Sequence, residues 1–153
     1  MRVDLLFAPF DAAAHYAAFV NQRGTGTSGA IATMVGIARA EAKDGRALSA
    51  VRLEHYGTAT IASMQQIAND AAQRFGVDDM LVLHRAGLIL PGEAIVLVAA
   101  AAAHRRAAFD TVDYLMDSLK SDAIFWKQEI CIDGDIRWIE PTEQDAVQAK
   151  RWA

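Results

Sequence analysis

Cysteine is nearly absent: Cys131 is the only one in 153 residues, so one copy of the chain can form no internal disulfide and no multi-cysteine zinc site. A reducing compartment fits that usage. Proline is almost as scarce, at 3 residues, and large apolar residues run the whole length, which excludes disordered, collagen-like and linker-rich architectures. Long apolar runs are missing too. The longest, Ala94 to Ala103, spans ten residues, well under the ~20 a membrane helix needs. Near the start, Asp4, Pro9 and Asp11 interrupt what would be the apolar region of a signal peptide. A cytoplasmic protein is the expectation. Positive charge is in deficit, 15 Lys and Arg against 19 Asp and Glu for a net charge of -4, the opposite of a nucleic-acid binder's balance. The four histidines, His15, His55, His84 and His104, show no metal-ligand spacing, and no GxSxG, Walker or GxGxxG signature is present. No metal and no cofactor is called for.

What is abundant is alanine, at 31 residues, leaving about a third of the chain as larger apolar residues. The length suits a single domain, residues 1–153. Val3 to Phe7 reads as a strand, and Asp11 is placed to cap an alanine-rich helix reaching Val20. Gln22 to Gly29 reads as a flexible loop. Ala30 to Arg39 reads as an apolar strand, Ala40 to Arg46 as a polar loop, and Leu48 to Tyr56 as a strand with Val51 and Leu53 on one face. Thr58 to Phe75 is a helix that Gly76 terminates. Met80 to Arg85 and Ala94 to Ala101 are strands joined through a turn at Pro91-Gly92. Ala108, Val112, Leu115, Met116 and Leu119 form one stripe of a helix from Arg105 to Lys120. Phe125 to Ile132 and Ile136 to Ile139 flank Asp133-Gly134, a hairpin signal, and Glu143 to Trp152 closes the chain as a helix. Paired strands joined by short loops predict an α+β fold with antiparallel sheet.

Two stretches carry candidate chemistry. Ala103-His104-Arg105-Arg106 joins a strand to a helix N-terminus, where free backbone N–H groups favour anions. Cations there cost the helix a few tenths of a kcal/mol, a hint of function beyond structure. Lys120 at the end of that helix is stabilising in its own right. Lys127, beside Phe125 and Trp126, is placed to lose hydration and with it some of its basicity. Arg39 adds another cation. Cys131, alternating within a strand, reads as a buried hydrophobe rather than a nucleophile.

The ordered series Gly36-Ile37-Ala38-Arg39, Leu53-Glu54-His55-Tyr56, His84-Arg85-Ala86-Gly87 with Pro91-Gly92-Glu93, Ala103-His104-Arg105, Met116-Asp117-Ser118-Leu119-Lys120 and Phe125-Trp126-Lys127-Gln128-Glu129 resembles the large, catalytic subunit of molybdopterin synthase. The resemblance runs from about Gly29 to Trp152. It departs from the family at Met34, where an aromatic is usual, at Ile124, where proline is usual, and in a slightly long loop from Ala40 to Asp44.

The resemblance implies an α/β-hammerhead fold and a sulfurtransferase of molybdenum cofactor biosynthesis. Such an enzyme converts cyclic pyranopterin monophosphate into the dithiolene of molybdopterin. The sulfur would come from the thiocarboxylate on the C-terminal Gly-Gly of a small ubiquitin-like carrier, in a heterotetramer built on a dimer of large subunits. It further implies that Lys120 and Lys127 serve the sulfur transfer, that Arg39, His104 and Arg105 hold the anionic substrate, and that Ile37, Ala38, Gln128 and Glu129 line the pocket. All five cations are then expected to converge on one pocket, open to a threaded chain end. The sequence ends without Gly-Gly, so the carrier is expected to be a separate protein. The competing expectation is a scaffold of the same fold that binds the carrier without turnover; keeping both Lys120 and Lys127 favours the enzyme.

Overall fold

A computed structural model describes residues 1–23 and 26–153. Gly24 and Thr25, inside the expected Gln22 to Gly29 loop, lie outside the described residues. The elements run β1 (Arg2–Leu6), α1 (Ala12–Asn21), β2 (Ala30–Ile37), β3 (Leu48–His55), α2 (Thr58–Phe75), β4 (Asp79–Arg85), β5 (Gly87–Ile89), β6 (Ala94–Ala102), α3 (Arg105–Ser121), β7 (Phe125–Cys131), β8 (Ile136–Ile139) and α4 (Glu143–Lys150).

Local signals set most boundaries. Asp11 caps α1 by accepting from the Ala14 amide at 3.1 Å. Gly76 closes α2 in the left-handed conformation, at φ 60°. Short β5 is the element the sequence reading lacks: Gly87–Ile89 pairs with β3, so three strands rather than two separate α2 from α3.

Two four-stranded sheets form, in the orders β1-β4-β6-β2 and β5-β3-β7-β8. Every pairing is antiparallel except β1 with β4, which is parallel. That pair is joined by a long connection through α1 and α2, which parallel neighbours require and hairpins do not. In the first sheet β6 is buried on both faces, hence its unbroken apolar run. Met64, Ile67, Ala68 and Ala71 of α2, with Ala108, Val112, Leu115 and Leu119 of α3, cover one face, meeting Val82, Val98 and Ala100. Phe19 of α1 covers the other, meeting Leu81, Leu83, Leu97 and Ala99. The alanines of β6 make this arrangement fit, since small side chains let helices approach the sheet from both sides.

The second sheet carries a smaller core of Ala38, Ala42, Leu48, Val51, Leu53, Ile89 and Cys131. Cys131 is buried there as a core residue. Among the described residues no helix is long and apolar enough to cross a membrane.

Candidate active site

Lys127 is the centre of the strongest grouping of charge. It lies on the inner face of the second sheet, opposite Leu53 on β3 and Ile139 on β8. Burial disfavours its charged form, and the neighbouring cations Arg39, Lys120 and Lys43 push the same way. Glu129 opposes them, and the net effect holds the ammonium below the ordinary lysine pKa. The Lys127 Nζ is 3.9 Å from the Glu129 carboxylate, which also accepts from Arg137 at 3.1 Å. Glu129 is only 6% exposed, and these two cations are its ion-pair partners.

Phe125 shares the inner face with Lys127, but Trp126 does not. Strand alternation turns Trp126 outward, where it meets Trp138 edge-on at 6.3 Å between ring centroids. The desolvation expected from both aromatics therefore comes from the inner face alone. Gln128 is likewise turned to the outer face, opposite Arg52 and Trp138, and does not join Lys127 and Glu129.

The entry to β7 is fixed from α2. The buried Thr60 hydroxyl donates to the Ile124 carbonyl at 2.7 Å and accepts from the Tyr56 amide at 2.8 Å, while Ser63 accepts from the Ile124 amide at 3.2 Å. His84 stacks on Phe125 with ring centroids 4.2 Å apart and donates from Nδ1 to the Arg85 carbonyl. Burial holds His84 neutral, with its pKa pushed down to about 4.

Arg39 is positioned through its backbone neighbour. Ala38 donates to the Glu93 carbonyl at 2.9 Å and accepts from the Gly92 amide at 2.8 Å. The Glu93 carboxylate in turn accepts from the Leu90 amide and from Arg85, a guanidinium only 2% exposed. A buried charge thus shapes the turn that clamps the backbone ahead of Arg39. Ile37, beside a register shift in the β2–β6 ladder, is exposed, whereas Ala38 is buried.

Lys120 ends α3 and keeps 62% of its side chain exposed. Its Nζ lies 3.2 Å from Asp145, which also closes the capping box of α4 with Thr142. These bonds hold the Asp145 carboxyl down at about 2.

His104 and Arg105 are elsewhere. They open α3, His104 at the N-cap position with no side-chain capping bond, beside an open groove of about 480 Å³ lined with Gly29, Ala103 and Arg106. From Arg105 to Lys120 the helix rises roughly 22 Å at ~1.5 Å per residue. The five cations expected in one pocket therefore separate within a single chain, because both groups sit on a rigid rod that holds its ends apart. Arg39, Lys120 and Lys127 come together; His104 and Arg105 do not join them.

The groups that sequence reading misses are Lys43, Arg137 and Asp145; Arg85 and Glu93 stand in the quoted motifs, and only their pairing is new. Of the three missed groups, Lys43 carries a local signal, in the Asp44-Gly45 turn dipeptide that follows it.

The chain is similar to known proteins over most of its length. The family model described as MoaE protein matches residues 5–122. A molybdopterin synthase catalytic subunit of Caulobacter vibrioides is 49% identical over 152 residues, covering 99% of this chain and 97% of that protein. One from Mesorhizobium japonicum is 46% identical over 144 residues, covering 94% and 87%. The solved molybdopterin biosynthesis MoaE protein from Burkholderia ambifaria superposes with a TM-score of 0.77 at 36% identity, covering 99% of this chain and 95% of that one. A protein–protein complex of subunits 1 and 2 of molybdopterin-converting factor from Helicobacter pylori contains a chain sharing the fold, with a TM-score of 0.72 at 18% identity, covering 93% and 91%.

Proposed function

The chain belongs to the MoaE family, and from that premise we propose that it is the sulfur-transferring subunit of a molybdopterin synthase. It converts cyclic pyranopterin monophosphate into molybdopterin, taking sulfur from the thiocarboxylate at the Gly-Gly end of a separate small carrier. The observation that carries this reading is the grouping of Arg39 and Lys120 around Lys127, a partly desolvated lysine, in a chain whose overall charge is -4. Two anions, a cyclic phosphate and a thiocarboxylate, meet in one reaction, and fixed cations oppose their mutual repulsion.

Each lysine has a role its surroundings support. Lys127 gives up its proton more readily than an ordinary lysine, which suits it to general acid and base work at the thiocarboxylate carbonyl. Lys120, accessible and anchored by Asp145, stabilises negative charge developing on that carbonyl. Two thiocarboxylates are consumed for the two sulfurs, and water returns each carrier end to a carboxylate.

A second copy of the chain supplies His104 and Arg105. β2 is an edge strand of the first sheet, with Met34, Val35 and Ile37 exposed along it. Its first residue, Ala30, lies opposite Ala102 near His104, and its last, Ile37, leads to Arg39. Two-fold antiparallel pairing of two such edges sets the His104 end of one copy against the Arg39 end of the other. The Helicobacter pylori neighbour, solved as a complex of two different subunits, supports a small-subunit partner; one such partner on each copy of the proposed dimer makes a heterotetramer.

The test is to mix the chain with thiocarboxylated carrier and cyclic pyranopterin monophosphate and look for dithiolene product. Product is expected. Carrier binding without product would instead establish the non-catalytic scaffold.

A further inference from the structure

Residues 42–46 form a tight hairpin: Gly45 donates to the Ala42 carbonyl at 3.0 Å, Ala42 donates to the Arg46 carbonyl at 2.9 Å, and Gly45 takes φ 83°. Lys43 and Asp44 occupy the two corners of the turn. Ala42, one residue before Lys43, is buried in the core of the second sheet, and Glu41 bridges Ala47. The hairpin is fastened to the β7–β8 turn from both directions. Asp44 accepts from Arg137 at 2.6 Å, and Arg46 pairs with Asp133 at 2.8 Å and Asp135 at 2.7 Å. Its backbone is therefore held, and with it the base of the Lys43 side chain.

Every charged side chain in residues 44–46 has a partner, and Lys43 has none among the described residues. Among the described residues Arg39 also lacks one. The grouping contains five cations (Arg39, Lys43, Lys120, Lys127 and Arg137) and three carboxylates (Asp44, Glu129 and Asp145) that pair with them. Of these cations, Arg39 and Lys43 are the two without a carboxylate partner among the described residues. Uncompensated charge held at a fixed place beside a reactive lysine, in a chain that is acidic overall, is the pattern of a site awaiting an anion.

We propose that Lys43 is a further substrate-binding residue, which together with Arg39 holds an anionic group of an incoming reactant next to Lys127. This rests on the reaction proposed above, whose two reactants each bring one such group: the cyclic phosphate of the pterin or the terminal thiocarboxylate of the carrier. The charge of Lys43 is already felt at Lys127, where it adds to the forces disfavouring the ammonium.

The experiment compares Lys43→Ala, Lys43→Glu and Lys43→Arg with the unmodified chain in steady-state assays, varying the pterin at saturating carrier and then the reverse. For one of the two reactants KM rises about 3- to 10-fold in Lys43→Ala, the range expected for losing one charged contact at a part-exposed site. Lys43→Glu should raise it further, Lys43→Arg should restore it, and the change should fall more on KM than on kcat. The reactant whose KM moves identifies the anion. The effect should shrink near 1 M salt, where the screening length falls to ~3 Å. A second arm measures binding of inorganic pyrophosphate, with the same ranking of affinities expected, and it stands whether or not product forms. Unchanged KM for both reactants in Lys43→Glu overturns the assignment, as does unchanged pyrophosphate affinity. Absence of product from the unmodified chain would instead count against the reaction, leaving the pyrophosphate arm to decide on Lys43.

Discussion

Asp44 accepts a hydrogen bond from Arg137 across 93 residues of sequence, at 2.6 Å, and the bond is answered in reverse by Arg46, which pairs with Asp133 and Asp135. Two hairpin turns, each containing Asp-Gly, thereby lock to one another. The Arg137 bond holds the Asp44 carboxyl below its usual pKa, with the Arg46 amide adding to the effect. Single exposed pairs of this kind contribute little, but a reciprocal set orients a backbone. It also delivers Arg137 to Glu129, and through Glu129 it reaches Lys127.

The first prediction follows from that last link. Glu129 is the anion that raises the pKa of Lys127 against burial and three neighbouring cations. Glu129→Gln should therefore move the Lys127 limb of the pH-rate profile to lower pH, while Arg137 keeps its bond to Asp44. A profile whose limb stays in place, or moves up, would remove Glu129 from the electrostatics of the site.

Much of this architecture is legible in the sequence because its signals are local. The cap at Asp11, the stop at Gly76 and the stripe from Ala108 to Leu119 are written within a few residues of where they act. The hairpin at Asp133-Gly134 shows because apolar strands flank it. Asp44-Gly45 carries the same dipeptide, but Glu41, Ala42, Arg46 and Ala47 give no alternation to frame it, so the segment reads as a plain loop. The grouping at Lys127 is half legible. Resemblance supplies Arg39, Lys120 and Lys127, but Arg137 and Asp145 reach the site only through folding, and no sequence pattern tells on which copy His104 and Arg105 act.

His84 should make stability depend on pH. Its folded pKa is about 4 against 6.5 for the free side chain, so between those values the unfolded chain binds a proton that the folded chain refuses. Stability from this residue is full above pH 6.5 and is lost as pH falls towards 4. His84→Phe, which can keep the stack on Phe125, should flatten that slope. Denaturation midpoints at several pH values measure it, and equal slopes in the two proteins would refute the assignment.

Asp145 works in the opposite chemical sense. Its carboxyl is held at about 2, chiefly by the Thr142 backbone amide and hydroxyl, with Lys120 adding to it. The stability it lends is present above its unfolded value of 3.8 and disappears as pH drops from there to about 2. Asp145→Asn should weaken α4 by about 1 kcal/mol through the lost capping box, and should release Lys120. Faster amide exchange confined to α4 is the expected result. Uniform exchange across the chain would mean that the cap has a wider role.

Gly29 lies where the chain passes hard against β6: its amide donates to Ala102, and a Cβ built on it would clash with the Ala103 backbone carbonyl. Backbone cannot yield as a flexible side chain would, so Gly29→Ala should displace Ala103 and with it His104 and Arg105. The expected outcome is a higher KM for the pterin with Lys127 chemistry intact. If the variant is too unstable to assay, the shift should still be visible as altered His104 resonances in a low-yield sample. Unmoved resonances and an unmoved KM would show that the close approach does not govern the site.

The sharpest contrast available in this chain is between Lys127 and Cys131, which lie four residues apart on the inner face of β7. Sulfur chemistry invites a cysteine relay, yet Cys131 is buried among Leu48, Val51 and Ile89. A thiol packed into an apolar core is closed to an incoming sulfur donor and is a poor nucleophile. Lys127, by contrast, is part-exposed and depressed in basicity, and it is surrounded by groups that attract anions. In single-turnover assays with one carrier preparation, Lys127→Ala should lose product formation by ~100- to 10,000-fold, the usual worth of a general acid or base. Cys131→Ala should keep its rate and lose only modest stability from the small cavity left behind. A dead cysteine variant beside an active lysine variant would replace proton transfer at Lys127 with a covalent persulfide route, and the roles proposed for both lysines would fall with it.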